Sequence, residues 1–180
     1  MAKLVSNRYA NALFEAGLEL DKLKEFQKDL EHINNVLEYE PKIQAILSHP
    51  KISKDEKKDL LNNIFGKNIS QEMVNFLYIT VDKRREKHLM EIAKEFNKLF
   101  NEHENIIEVT AITAVPMNNK SQEKLKVILE NKMNKNINLK NIVDPSILGG
   151  VLLKIENKII DGSIKSQLQN IERTIKTGIL

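Results

Sequence analysis

The chain has 180 residues, 41% hydrophobic and 29% charged, with a formal net charge of +3. That is enough apolar material for one medium domain or two small ones, and too even a charge to argue for nucleic acid by itself. The chain has no cysteine, which excludes disulfides, thiolate zinc sites and cysteine nucleophiles. The opening MAKLVSNRYANALFEAG lacks the apolar run of a signal peptide. No stretch approaches the roughly 20 apolar residues that span a bilayer, so a soluble intracellular chain without direct membrane insertion is expected.

The first hundred residues are written in helical period. A first helix is predicted from about Ser6 to Leu20, with Tyr9, Leu13, Ala16 and Leu20 on one side. A second carries Leu23, Phe26, Leu30, Ile33 and Leu37 at spacings of three and four, and a later one repeats the rhythm in Leu89, Ile92, Phe96 and Leu99; each apolar stripe must be buried against other helices. Shorter helices are predicted after Pro41, after Ser53 and after Ser70. Ser53 with Glu56 three residues on forms a capping box. The sum is a bundle of six helices over residues 1–104, net charge −1.

After Glu104 the period changes. Ile106 to Val115 alternates and is β-branched, with Ile107, Val109, Ala111, Thr113 and Val115 on one face, and Pro116 stops it; this reads as a strand. Leu125, Ile128, Leu129 and Met133 restore helical spacing, and Ile137 with Leu139 suggests a short second strand. A hairpin follows, with Val151 to Ile155 and Ile159-Ile160 joined by a turn at Glu156-Asn157-Lys158, and then a last helix through Ile164, Leu168, Ile171 and Ile175 that ends before Gly178. Residues 105–180, net charge +4, form a small mixed α/β domain. The overall class is mostly α.

Few residues suggest chemistry. Gly149-Gly150 precedes a strand, whereas a phosphate cradle needs glycines between a strand and a helix N-terminus. Asp161-Gly162-Ser163 does lie between a strand and a helix, the order of a nucleophile elbow, but without its G-x-S-x-G frame. Ordinary capping is the simpler account, with Gly162 making the turn and Ser163 or Asp161 capping the helix that opens at Ile164. Among the four histidines only His32 stands three residues from a carboxylate, Asp29, at most half of a metal site. The mixed clusters KDEKK (54–58) and DKRREKH (82–88) read as solvated helix faces. Small residues on the first helix, Ala10, Ala12, Ala16 and Gly17, would let another helix approach closely, inside the bundle or from a partner.

Four segments in order, NRYANALFEAG (7–17), DKRREKHLMEIAKEFNKL (82–99), EVTAITAVPM (108–117) and VDPSILGGVLLKIENKIIDGSIKSQL (143–168), resemble the delta subunit of bacterial F-type ATP synthase, the family of the mitochondrial oligomycin-sensitivity-conferring protein. The resemblance covers essentially the whole chain. It implies a six-helix N-terminal domain, a C-terminal α/β domain, and no catalytic site, cofactor or metal. It further implies a peripheral-stalk subunit that ties the F1 head to the membrane-anchored b subunits, so that proton-driven rotation is coupled to ATP synthesis. Such a subunit would lie peripherally at the cell membrane, on the cytoplasmic side.

By the same resemblance the N-terminal helix of an alpha subunit would sit between the first and fifth helices, at Tyr9, Ala12, Leu13, Ala16, Met73, Phe76, Leu77 and Thr80. The C-terminal domain would meet the C-terminal ends of the b subunits, and Gly149, Gly150, Asp161, Gly162 and Ser163 would be a structural signature. One departure is the hairpin turn, where family members often carry a glycine and an aspartate; Asn157 tolerates the left-handed conformation a turn requires. The absence of a transit peptide favours a bacterial protein. The alternative reading is a helical-bundle adaptor or a nucleic-acid-binding protein. The basic C-terminal half also predicts steering toward a charged stalk partner.

Overall fold

In the computed structural model, which describes residues 2–156 and 158–177, the period of the N-terminal hundred residues becomes helix. The helices are α1 (Ala2–Glu19), α2 (Leu23–Tyr39), α3 (Pro41–Ser48), α4 (Lys54–Phe65), α5 (Gln71–Asp82) and α6 (Leu89–His103). A single 3-10 turn, Glu86–His88, leads into α6. The breakers act as their chemistry requires. Pro41 takes the first turn of α3, where its missing N–H costs nothing. At α4 the Ser53 side chain accepts from the Glu56 amide (3.2 Å) while the Ser53 amide donates to the Glu56 carboxylate (2.8 Å).

Helix α1 starts four residues before the expected Ser6. Nothing in Lys3 to Val5 stops a helix, and Ser6 is buried within it rather than capping it. Leu20 falls beyond the end of α1 and is exposed, so it leaves the stripe assigned to it. The other stripes go inward: Phe26, Leu30 and Ile33 of α2, Leu61 and Phe65 of α4, Met73 and Leu77 of α5, and Ile92 and Phe96 of α6 are almost fully buried. Each such side chain contributes about 2 kcal/mol of burial.

Polar connections also tie the elements of this unit, Met1–Phe100. Asp29 does not pair with His32. Its Oδ2 accepts from both the amide and the hydroxyl of Ser70 (2.9 and 2.6 Å), so α2 holds the residue that caps α5. His32 instead meets the Phe65 ring edge-on at 6.1 Å.

The charge clusters also correct the solvated-face reading. Lys54 and Lys58 do stay outside, holding the Asp82 carbonyl and carboxylate (2.8 and 2.7 Å). Lys57 turns inward and pairs with Glu86 at 2.6 Å, both side chains only 8% exposed.

The second unit, Asn101–Leu180, is built on a four-stranded sheet: β1 (Ile106–Thr113), β2 (Asn136–Val143), β3 (Gly150–Ile155) and β4 (Lys158–Ser163), in the order β2-β1-β3-β4. β1 pairs parallel with β2, and α7 (Asn119–Met133) makes the crossover a parallel pair needs. β3 and β4 add antiparallel on the other side of β1.

Ile107, Val109 and Ala111 share a buried cluster with Leu129, Ile137, Leu153 and Ile155, and Leu125 and Met133 of α7 pack against it. Ile128, expected among them, is exposed on the outer side of α7. β1 ends at Thr113, whose hydroxyl donates to the Val115 carbonyl (2.7 Å) and turns the chain. Val115 therefore never joins the inner face and is exposed. At the hairpin Glu156 itself takes the left-handed conformation (φ 49°), while Asn157 lies outside the described residues.

The last helix, α8 (Ile164–Thr177), follows β4 directly; Gly178, the expected stop, lies outside the described residues. Its apolar stripe of Ile164, Leu168, Ile171 and Ile175 is present, and all four residues are exposed. The fold is mostly helical, with a small C-terminal mixed sheet of four strands.

Candidate partner-binding site

α1 and α5 touch at Tyr9 and Phe76, and most of the residues the resemblance named on them are inside. Tyr9 and Phe76 meet edge-on with ring centroids 6.3 Å apart, a favoured aromatic geometry. Past the end of α1, Lys22 reaches Glu72 near the start of α5 at 2.8 Å. Hydrogen bonding to Glu72 raises the Lys22 pKa, and the same bond from Lys22 lowers that of Glu72.

Leu13, Met73, Leu77 and Thr80 are buried, with the Thr80 hydroxyl donating to the Leu77 carbonyl (2.7 Å). They build the wall rather than line the groove. Tyr9 and Ala16 are half-buried, Ala12 is exposed and Phe76 shows only an edge. The small residues of α1 divide in the same way. Ala10 is fully buried, and a Cβ on Gly17 would stand 3.2 Å from the Phe26 ring, so these two serve packing within the bundle. Ala12 is the one left on the outside.

Sequence reading missed Ile79, which is 50% exposed one turn beyond Phe76. The signal was there: Ile79 is apolar yet falls off the 73, 76, 77, 80 stripe. Tyr9, Ala12 and Ala16 of α1 and Phe76 and Ile79 of α5 thus keep apolar surface outside the core.

The Gly149 to Ser163 segment is structural. Ser163 is buried, and its Oγ accepts from the Ser166 amide (3.2 Å). Asp161 accepts from the Ser163 amide (2.8 Å) and the Ser166 hydroxyl (2.5 Å). Ser163 thus caps α8 and Asp161 braces that cap, and neither presents a free nucleophile.

Gly162 is not the turn. It is a β4 residue opposite Val151. The left-handed glycine is Gly150 (φ 77°), and a Cβ there would fall 2.3 Å from the Gly162 carbonyl oxygen. Among the described residues no group of three His, Asp or Glu could hold a metal ion, and no helix is long and apolar enough to cross a membrane.

The cap has a pH consequence. Hydrogen bonds from Ser166 and Ser163 hold the Asp161 carboxyl below the usual carboxylate range. A lowered folded pKa stabilises above the unfolded value of about 3.9 and is lost as pH falls through the folded one. The Ser163 and Ser166 amide resonances are therefore expected to titrate with a midpoint below about 3.9, and Asp161→Asn to abolish that step. A midpoint at or above that value would contradict the cap.

Comparison with known proteins bears on the whole chain. The family model described as "ATP synthase delta (OSCP) subunit" matches residues 5–175. The chain is 43% identical to the ATP synthase subunit delta of Alkaliphilus oremlandii over 175 residues, covering 97% of each. It is 39% identical to that of Clostridioides difficile, covering 99% of each. In fold it is similar to a chain in the cryo-EM structure of the Toxoplasma gondii mitochondrial ATP synthase hexamer, with a TM-score of 0.75 at 20% identity, over 94% of this chain and 96% of that one. The expectation of a non-catalytic structural subunit agrees with these matches. With most of both units inside the matched span, the chain belongs to the ATP synthase delta (OSCP) subunit family.

Proposed function

We propose that this chain is a stator subunit of an F-type ATP synthase, linking the F1 head to the b subunits of the peripheral stalk so that proton-driven rotation is coupled to ATP synthesis. It works peripherally at the cytoplasmic side of the cell membrane. The observation that carries this reading is the family match over residues 5–175, which spans both units. In this reading the six helices of the first unit receive the N-terminal helix of an alpha subunit on the α1/α5 face, and the second unit meets the b subunit ends.

The physics of a stator is persistence. With association near 10⁶ M⁻¹s⁻¹, a residence of about 1,000 s needs a dissociation constant near 1 nM, or roughly −12 kcal/mol. An apolar helix seated on an apolar face supplies such an energy, whereas scattered surface ion pairs contribute about 0–1 kcal/mol each.

The direct test is co-purification: the chain should come down with the catalytic head, and head attachment to the membrane should be lost without it. A head that stays attached in its absence would sink the reading. For the α1/α5 face the informative variant is Ala12→Glu. The residue is exposed, so the fold survives, and a charge there should weaken binding of an alpha N-terminal peptide at least ~10-fold. Leu13 cannot serve, because it is buried and a charge there would unfold the bundle. Parent-like peptide affinity in Ala12→Glu would move the site elsewhere.

A further inference from the structure

We infer that the free edge of β4 is a docking surface for the β4 of a second copy of this chain, the two strands pairing antiparallel about a two-fold axis at Ile160. The ladder shows which backbone groups are free. The Ile164 amide donates to the Gly149 carbonyl (3.0 Å), in the register that sets Gly150 opposite Ser163. Hydrogen-bonded and non-bonded pairs alternate along an antiparallel ladder. Gly162 and Ile160 therefore spend their N–H and C=O groups on β3, and those of Ile159, Asp161 and Ser163 point outward. β4 is the last strand in the order β2-β1-β3-β4, so no strand of its own sheet meets them.

The outward row is short. The Ser163 amide is taken by the Asp161 carboxylate (2.8 Å), which leaves Ile159 and Asp161 as the residues whose N–H and C=O are both open. α8 does not screen them: Ile159 and Ile160 are 65% and 53% exposed, and Asp161 and Gly162 are exposed too. A long strand laid here would run out of partners after these two residues, because the next outward amide is already bonded. A second β4 carries the same short row and the same stop.

Register selects the axis. Centring the pair on Ile160 sets Ile159 against Asp161 of the second copy, and Asp161 against its Ile159, so every open N–H meets an open C=O. Ile160 then faces Ile160 across the axis in a non-bonded pair, where side chains stand closest. Lys158 faces Gly162, which has no side chain to crowd it, and no like charges are opposed. Centring on Asp161 would oppose two carboxylates and call on the occupied Ser163 amide. Centring on Ile159 would carry Asp161 past Lys158, where β4 begins. The other sheet edge, β2, is the rival for β4. Its Ile137 amide is bonded to the Glu130 carboxylate (3.3 Å), and a contact between unlike edges grows as an open chain instead of closing.

The inference concerns the chain free of its assembly and does not rest on the stator reading. Edge hydrogen bonds of modest net worth give a weak dimer, with a dissociation constant on the order of 0.1–1 mM. Sedimentation of the full chain from about 10 µM to about 1 mM should show the mass rising from one copy toward two. Exchange of the Ile159 and Asp161 amides should slow over the same range. Ile160→Lys and Ile160→Glu, at an exposed position, should each weaken association at least ~10-fold, and mixing the two should restore it, because lysine then faces glutamate. Leu168→Glu, on the exposed stripe of α8, should leave association unchanged. A parent that stays monomeric at about 1 mM, amides at 159 and 161 indifferent to concentration, or single variants that associate like the parent would each overturn the inference. So would a mixture no tighter than its components, association lost in Leu168→Glu, or growth beyond two copies.

Discussion

Lys57→Met is expected to destabilise the first unit by about 3–5 kcal/mol, because it leaves Glu86 as a buried carboxylate with no cation. The pair is short and almost fully enclosed, at 2.6 Å with both side chains 8% exposed. The second oxygen, Glu86 Oε2, already has no hydrogen-bond partner among the described residues, so nothing else is placed to take up the charge. Against a total stability of about 5–15 kcal/mol the loss is severe, and it should lower the melting temperature of the unit by more than about 10 °C. Glu86→Leu alone should cost a similar amount by stranding the lysine. The double variant Lys57→Met, Glu86→Leu should recover most of the loss, since an apolar pair of similar volume replaces a desolvated ionic one. Denaturant melts of the four proteins decide the matter. Single variants within about 1 kcal/mol of the parent would mean that water reaches the pair.

Gly150→Ala should lower the melting temperature of the second unit by about 10 °C or more while the first unit melts as before. Two costs coincide at this position. The backbone is left-handed at φ 77°, and the added Cβ would lie 2.3 Å from the Gly162 carbonyl oxygen. The obstacle is backbone on the paired strand, so relief means parting β3 from β4. A combined cost of about 3 kcal/mol or more follows. Gly149→Ala is the matched control, because its Cβ would meet only the Cδ1 of Ile164 at 2.7 Å, the end of a side chain that can rotate. Hydrogen exchange at residues 150–163 should lose protection in the first variant and keep most of it in the second. Parent-like protection in Gly150→Ala would show that the hairpin register differs from Gly150 opposite Ser163.

What the sequence disclosed was local. The Ser53 and Glu56 box, Pro41 at a helix start and the alternation from Ile107 to Thr113 each act within a few residues, and each appears in the fold. What it hid depends on distant partners. Lys57 looks like any solvated lysine until Glu86, far along the chain, comes beside it, and Asp29 looks like half of a His pair until Ser70 arrives. For the α1/α5 face, helical spacing could say that Leu13, Met73 and Leu77 share a side with Tyr9 and Phe76, but not that they lie beneath it. Periodicity also implies that an apolar stripe is covered within the chain, and α8 breaks that rule: its stripe stays exposed. The glycines were located correctly but misassigned, since a turn and a close strand crossing use the same residue type and differ only in φ.

The strand order also bears on how the protein is made. β1 is central, yet its neighbours are β2 and β3, both later in the chain, with Val109 opposite Leu139 and Ile155. A ribosome emitting residues in order exposes the apolar inner row of β1 well before β3 exists to shield it. The helices of the first unit, by contrast, all lie within the first hundred or so residues. The first unit can therefore complete its core during translation, while the second waits with an open sheet edge until almost the last residue has emerged. A stop or a frameshift near residue 150 would leave a folded bundle trailing a β1–β2 pair with the other edge of β1 open, the exposed backbone that makes strands aggregate.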